Sequence, residues 1–251
     1  MHSRTRRQHR AVRPDARIAV DDDCVHVWQL PLEATDAELP RHRDVLSEAE
    51  IARATRFHRD IERHRYTIAH GLLRDVLNRY CAIPPAQLEF ATDRGGKPLL
   101  SSAGCPPLSF NLSHSGGRML LAIADGCPIG VDIEASDRRI DPLKLARRYF
   151  FGGEVEDIEA APDDERHTRF FQYWVAKEAT VKAAGLGLGY PLDALRVHFS
   201  AKRDVAQVES LQPERLANDW MVRMVPCDPG WHAAVVRRGL QWNWRPMPRP
   251  L

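Results

Sequence analysis

Long hydrophobic runs are missing from this 251-residue chain. Nothing in it approaches the roughly 18 consecutive apolar residues of a bilayer-spanning helix, and Met1-His2-Ser3-Arg4-Thr5-Arg6-Arg7 has no apolar segment behind its charges. A cytoplasmic protein without membrane attachment is therefore expected. Cysteine is sparse as well. Cys24, Cys81, Cys105, Cys127 and Cys227 are odd in number and scattered, with no C-x-x-C pair. That argues against a disulfide framework or a zinc site and for reduced, mostly buried thiols. Nor does either charge dominate. The formal net charge is +2, but Arg4, Arg6, Arg7, Arg10 and Arg13 all precede the first acid, leaving 31 basic residues against 34 acidic ones. A broad basic surface for nucleic acid is thus not expected, and residues 1–16 read as a disordered basic tail to which no function is assigned.

At 43% hydrophobic, the chain can bury a large core. A strand is expected at 25–30. Ser47-Glu48-Ala49-Glu50 is a capping box that starts a helix ending before Phe57. A longer amphipathic helix carries Ala69, Leu72, Leu73, Val76, Leu77 and Tyr80 inward until Pro84-Pro85 stops it. Strands follow at 108–113, 119–124 and 129–134, the last two read as a hairpin through Asp125-Gly126-Cys127-Pro128. Helix 143–151, a helix pair up to 184 and strands at 195–199, 220–225 and 231–236 repeat this order. The expectation is an α+β fold of two similar α/β halves, 17–125 and 126–240, forming a pseudodimer with the active site at their interface. The repetition is one of topology, without repeated sequence. Proline-rich residues 241–251 are expected as an extended surface tail.

Two runs carry chemistry. In Ile129-Gly130-Val131-Asp132-Ile133-Glu134, alternation on a strand sends Asp132 and Glu134 to one side and Ile129, Val131 and Ile133 to the other. Two carboxylates aimed at one place repel unless a cation lies between them, so the pair resembles half of a divalent metal site. A solvated strand face is the plainer alternative. In Trp174-Val175-Ala176-Lys177-Glu178-Ala179-Thr180-Val181-Lys182, Glu178 falls on the inward stripe Phe171, Trp174, Val175, Glu178, Lys182. A carboxylate there is costly unless it is paired, binds metal or acts as a base. Its plainer alternative is an exposed Glu178–Lys182 pair at i, i+4.

A third constellation is Phe110-Asn111-Leu112-Ser113-His114-Ser115-Gly116-Gly117. It closes a strand with hydroxyls, an imidazole and glycines, which suit a phosphate or polar ligand or, more plainly, a capped strand end. Ser113 with His114 is discounted as a nucleophile and base, because adjacent residues on a strand face opposite ways. Gly96-Lys97-Pro98 fixes a lysine on a turn, where it could meet an anion.

Taken together, in this order and spacing, these four blocks resemble the 4'-phosphopantetheinyl transferases of the larger, Sfp-like, pseudodimeric type, over roughly residues 25–236. The resemblance implies Mg²⁺-dependent transfer of phosphopantetheine from coenzyme A to a serine of an acyl or peptidyl carrier protein, releasing adenosine 3',5'-bisphosphate, and secondary metabolite biosynthesis, fatty acid synthesis or a siderophore pathway would each fit. It implies that Asp132, Glu134 and Glu178 hold the metal, that Glu178 is or positions the base, and that Lys182 contacts the phosphates. It further implies coenzyme A contacts from Arg53, Arg65, Lys97, Ser113 and His114. Glu50 stands where some relatives carry a lysine for the 3'-phosphate, and Tyr66 replaces a small hydroxyl residue. A monomer suffices if the two halves form the site. Two other classes fit the residues, a metal-dependent phosphoanhydride hydrolase acting on coenzyme A-like substrates and a non-catalytic binding module.

Overall fold

The computed structural model describes residues 17–35, 37–93, 95–137, 140–187 and 189–249, and the expected basic tail at 1–16 lies outside them. In the first half, β1 (Cys24–Pro31) leads to the short helices α1 (Leu39–Asp44) and α2 (Glu48–Ala54). Next come the long α3 (Asp60–Cys81), a small hairpin of β2 (Phe90–Thr92) and β3 (Pro98–Leu100), then β4 (Leu108–Ser115) and β5 (Arg118–Asp125). The second half runs β6 (Ile129–Ala135), α4 (Pro142–Tyr149), α5 (Gly152–Ala160), α6 (Asp163–Ala184), β7 (Leu195–Phe199), β8 (Val205–Ser210), β9 (Trp220–Val225), β10 (Trp231–Arg238) and β11 (Asn243–Pro246).

The capping box at Ser47 forms as the sequence predicts: the Glu50 amide donates to Ser47 Oγ at 3.3 Å, and the Ser47 amide donates to Glu50 Oε2 at 2.8 Å. The α+β expectation holds, with two sheets face to face and one long helix on each outer side. The first sheet has the order β11-β1-β5-β4 and the second β6-β10-β9-β8-β7. Within them β1-β5-β4 and β6-β10-β9 are the same antiparallel arrangement. Alternation along β1 and β5 sends Trp28, Leu30, Leu121 and Ile123 towards α3, and Val25, Val27, Leu120 and Ala122 towards the second sheet. There they meet Ile129, Val131, Ile133, Ala233 and Val235 in one buried cluster. At roughly 25 cal/mol per Å² of apolar area removed from water, this sheet-on-sheet layer is what welds the halves together.

Three expectations are corrected. β5 and β6 are not a hairpin: β5 is flanked by β1 and β4, β6 pairs only with β10, and the Gly126 turn carries the chain from one sheet to the other. A strand with both edges already occupied has no amides left for a third partner. The C-terminal segment is extended, but as a strand, with β11 running parallel to β1 and Met247 N donating to Val27 O at 2.8 Å. It therefore belongs to the sheet of the first half. Of the five cysteines, all free thiols, Cys81 is buried and the other four are half-buried.

The repetition also extends to sequence. Helices α3 and α6 are both 22 residues long, and the same three positions carry a base, the acid next to it and a base four residues on: Arg74, Asp75 and Arg79 in α3, Lys177, Glu178 and Lys182 in α6. This base-acid-x-x-x-base pattern emerges only when the two helices are superposed position by position, because the residues around it differ.

Candidate active site

The site lies where β6 meets α6 and β4. On β6 the pleat turns Gly130, Asp132 and Glu134 away from the inter-sheet cluster that holds Ile129, Val131 and Ile133. Gly130 has a steric role. A Cβ there would run into the Ala179 carbonyl oxygen and the Ala183 amide nitrogen, so only glycine lets α6 lie this close. Gly185, in the left-handed region at φ 66°, ends α6 one turn after Lys182.

On this helix Glu178 is half-buried, not solvated. Burial pushes its carboxyl above the usual range, Asp132 and Glu134 raise it further, and Lys182 partly opposes them. Three carboxylates and one ammonium are thus within electrostatic reach of one another. The ammonium does not close a simple surface pair with Glu178. Lys182 Nζ donates to Asp132 Oδ1 at 2.6 Å and to Ser113 Oγ at 3.0 Å, and Ser113 Oγ donates to the same Asp132 oxygen at 2.8 Å. Asp132 is 2% exposed, and its other oxygen, Oδ2, is buried without a hydrogen-bond partner among the described residues. Such an orphaned buried carboxylate oxygen costs energy unless a cation or donor from outside the chain completes it. Among the described residues no three His, Cys, Asp or Glu side chains are gathered into a ready-made metal cage.

β4 supplies the other wall by side chains alone. Asn111, Ser113 and Ser115 alternate towards β6, where Asn111 Oδ1 accepts from Val131 N at 2.8 Å and Ser115 Oγ accepts from Ala135 N at 3.1 Å. Ser115 Oγ in turn donates to Glu134 Oε2 at 2.8 Å. Asn111 and Ser115 therefore satisfy amides along the open edge of β6, while both serines hold its carboxylates. The period-two Asn-x-Ser-x-Ser run matched to Asp-x-Glu was the signal for this, and the role of Ser115 and Asn111 was missed in the sequence.

The basic residues spread along the neighbouring face. His114 stands at the exposed rim of β4. Surrounding protein lowers its pKa, His70, Lys182 and Arg65 lower it further, and Glu62 opposes them, which places three other basic groups around it. Arg65 reaches the β4–β5 turn, where its guanidinium lies 3.9 Å from the position of a Cβ on Gly117, and its Nε is buried without a partner among the described residues. Arg53 is exposed on the wall of a cavity of about 840 Å³ that also involves Tyr66, His70 and Arg74, with its guanidinium 5.9 Å from the Tyr66 ring. Lys97 is placed differently. Its ammonium donates to Ile129 O at 2.6 Å and to Lys182 O at 3.3 Å, so it ties the β2–β3 hairpin to the start of β6 and the end of α6. In this arrangement Lys97 braces the site and does not reach into the carboxylate cluster.

Glu50 is explained by its partners. Arg74 donates to Glu50 Oε2 through Nη2 at 2.6 Å and Nε at 3.0 Å, and His70 Nδ1 lies 3.0 Å from Oε1. Burial alone would raise this carboxyl, but the hydrogen bonds from His70, Arg74 and Ser47 outweigh it and bring the pKa to about 2. Tyr66 stacks on the His70 ring at 4.1 Å and forms a flat wall of the cavity. Within the Trp-x-x-Lys-Glu run, Lys177 is fully buried. It pairs with Glu154 at 2.6 Å and donates to Leu192 O and Leu195 O at 2.8 and 2.7 Å. It anchors α6 to the strand that follows, a role not assigned from sequence.

Comparison with known proteins bears on this geometry directly. Residues 32–125 match the model of the 4'-phosphopantetheinyl transferase N-terminal domain, and residues 128–236 match that of the 4'-phosphopantetheinyl transferase superfamily. The two matched regions divide at the link between β5 and β6. The 4'-phosphopantetheinyl transferase HetI of Nostoc sp. is 33% identical over 240 residues, covering 94% of this chain and 97% of that protein. The 4'-phosphopantetheinyl transferase Sfp of Bacillus subtilis is 30% identical over 207 residues, covering 82% and 87%. The psf-1 transferase of Bacillus pumilus is 31% identical over 210 residues, covering 83% and 86%. With both halves matched and nearly its full length aligned, this chain belongs to the 4'-phosphopantetheinyl transferase superfamily.

Proposed function

We propose that this chain transfers 4'-phosphopantetheine from coenzyme A to a serine hydroxyl of an apo acyl or peptidyl carrier protein, with Asp132, Glu134, Glu178 and Lys182 at the reacting centre. The observation that carries the reading is the convergence of these residues at the β6–α6 contact in a chain of this family. In the reaction the serine oxygen bonds to the phosphorus that bears pantetheine. The bond from that phosphorus to the bridging diphosphate oxygen breaks, and adenosine 3',5'-bisphosphate leaves.

Each residue has a task in this chemistry. The raised proton affinity of Glu178 suits it to take the serine proton, or to orient the group that does. Lys182 brings its ammonium to the same spot, where charge builds up on the diphosphate oxygens. Ser113 holds Lys182 and Asp132 in register. Arg65, with Arg53 further along the wall, gives the anionic coenzyme A a cationic track, and His114, whose surroundings disfavour its charged form, offers it a hydrogen bond from a neutral ring. Asp132, Glu134 and Glu178 are hard oxygen donors. They suit Mg²⁺, which binds through few carboxylates plus substrate phosphates and water, and the unpartnered Asp132 Oδ2 fits that role. When bound, Mg²⁺ would neutralise charge on the diphosphate. Every residue of the cluster comes from one chain, so a monomer is sufficient.

A phosphoanhydride hydrolase could use the same groups with water as nucleophile, but no observation favours it over transfer, and the relatives above are named as transferases. The test is intact-mass spectrometry of apo carrier proteins incubated with this chain, coenzyme A and Mg²⁺, beside Glu178→Ala. A gain of one phosphopantetheine, absent in Glu178→Ala and with chelator, is the expected result. Coenzyme A cleavage with every carrier left unmodified would replace the transferase by the hydrolase.

A further inference from the structure

The two serines of β4 are not equivalent. Ser113 receives its hydrogen bond from Lys182 Nζ, a flexible ammonium that also bonds to Asp132. Ser115 receives its hydrogen bond from the main-chain amide of Ala135, on the same strand as the carboxylate it serves and one residue beyond it. With the amide proton directed at a lone pair of Ser115 Oγ, the hydroxyl proton is left for an acceptor, and that acceptor is Glu134 Oε2 at 2.8 Å. Backbone, hydroxyl and carboxylate thus form a short relay with one direction of donation. Ser115 is 6% exposed, so water does not compete for it.

We propose that Ser115 is a positioning residue for Glu134, fixing that carboxylate as a ligand of the divalent cation. The proposal rests on the reading of Asp132, Glu134 and Glu178 as the cation's donors. Two features of the geometry separate it from ordinary packing. First, the spacing is matched: Ser113 and Ser115, two apart on β4, engage Asp132 and Glu134, two apart on β6. Second, β4 and β6 belong to different sheets, so Ser115 spans the junction of the halves. The carboxylate of the second half is therefore oriented by the first. Groups that orient a metal ligand in this way commonly change metal affinity by about 10- to 100-fold when removed.

The test reads cation binding directly. Mn²⁺, a hard cation with the same taste for carboxylate oxygen, is titrated by electron paramagnetic resonance into full-length protein with coenzyme A present. The variants are Ser115→Ala, Ser115→Thr, Glu134→Gln and the Ser115→Ala/Glu134→Gln double variant. Ser115→Ala is expected to weaken Mn²⁺ binding about 10-fold, Ser115→Thr to keep most of the affinity, and the double variant to bind no more weakly than Glu134→Gln alone. Equal affinity in Ser115→Ala and wild type would overturn the proposal. So would an undiminished loss from Ser115→Ala in the Glu134→Gln background, since the serine would then act elsewhere. Thermal melting of each variant separates a loosened junction, which lowers Tm alone, from lost orientation. If the wild type binds Mn²⁺ but modifies no carrier, the transferase reading fails and the Ser115 comparison still stands on its own. If the wild type binds no Mn²⁺, the proposal is overturned.

Discussion

Helices α3 and α6 are the same device put to two uses. In each, the fifteenth residue is a buried base held by a glutamate from the short helix before it: Arg74 by Glu50 of α2, Lys177 by Glu154 of α5. Both glutamates sit at the third position of their helix and also accept from the backbone amide preceding it, Ser47 N at 2.8 Å and Phe151 N at 3.1 Å. The strut that pins each long helix has therefore been kept in both halves. What lies beside it has diverged. Lys182 of α6 reaches Asp132 on β6, whereas Arg79, its counterpart on α3, lies over the Trp28 ring of β1 at 5.6 Å. Around Trp28 the first half is filled in, with Tyr80 Oη accepting from Trp28 Nε1 at 3.1 Å and lying 3.0 Å from His26 Nδ1. The lesson is that the strut belongs to the scaffold shared by both halves, whereas the contact between the last base of the helix and a strand carboxylate is kept in the second half.

The comparison is most severely strained by removing the bases of the two struts. Lys177→Met leaves Glu154 buried without a counter-charge, a loss of about 3–5 kcal/mol, while Arg74→Met should cost less because the Glu50 side chain keeps 13% exposure to water. Urea unfolding of the two variants measures the difference, and equal losses would mean that burial does not set the cost.

Gly130 tests the active half next. Gly130→Ala forces β6 away from α6 and should lower the rate of carrier modification about 100-fold, since displacements near 1 Å at a reacting centre have that effect. A rate within a few-fold of wild type would show that the β6–α6 contact has slack.

Acid titration distinguishes the struts more finely. Glu50 falls from 4.5 to about 2 on folding, so its contribution is complete above 4.5 and disappears as the pH drops towards 2. Glu154 goes the other way: burial raises it despite Lys177, so its ionised form opposes folding and its share of stability declines as the pH rises past 4.5. Glu50→Gln should therefore remove up to about 3 kcal/mol at neutral pH and flatten the acid limb of the stability curve. A curve that keeps its acid limb in Glu50→Gln would assign that limb to other carboxylates.

The smallest effect is at the helix ends. Gly185 ends α6 at φ 66°, and Ala82 ends α3 in the same left-handed region at φ 54° without glycine's freedom. Ala82→Gly is expected to stabilise the first half by about 0.5–1 kcal/mol, read as a shift in the urea midpoint.

Much of this was legible from residue order. The capping box at Ser47, the inward stripe of α6 and the alternation of β6 all follow from local periodicity, and the carboxylates and Lys182 do meet. What was hidden depends on the partner a strand or side chain selects across the fold. The linker through Gly126 reads as a tight turn whether it closes a hairpin or crosses between sheets, and only the occupied edges of β5 decide. Lys177 looks like one more helical charge until Leu192, Leu195 and Glu154 surround it. Lys97 reads as a lysine on a turn, and only the fold shows that its ammonium also ties the carbonyls of Ile129 and Lys182.

Strand β11 has a consequence in time. It is drawn from beyond the second half yet completes the outer edge of β1, so until the chain through Met247 has been made, that edge stands open as a template for another strand. Synthesis and assembly are thereby linked. A truncated or stalled chain would hold its carboxylates and its lysine but not the clasp, and would be inclined to aggregate before it could act.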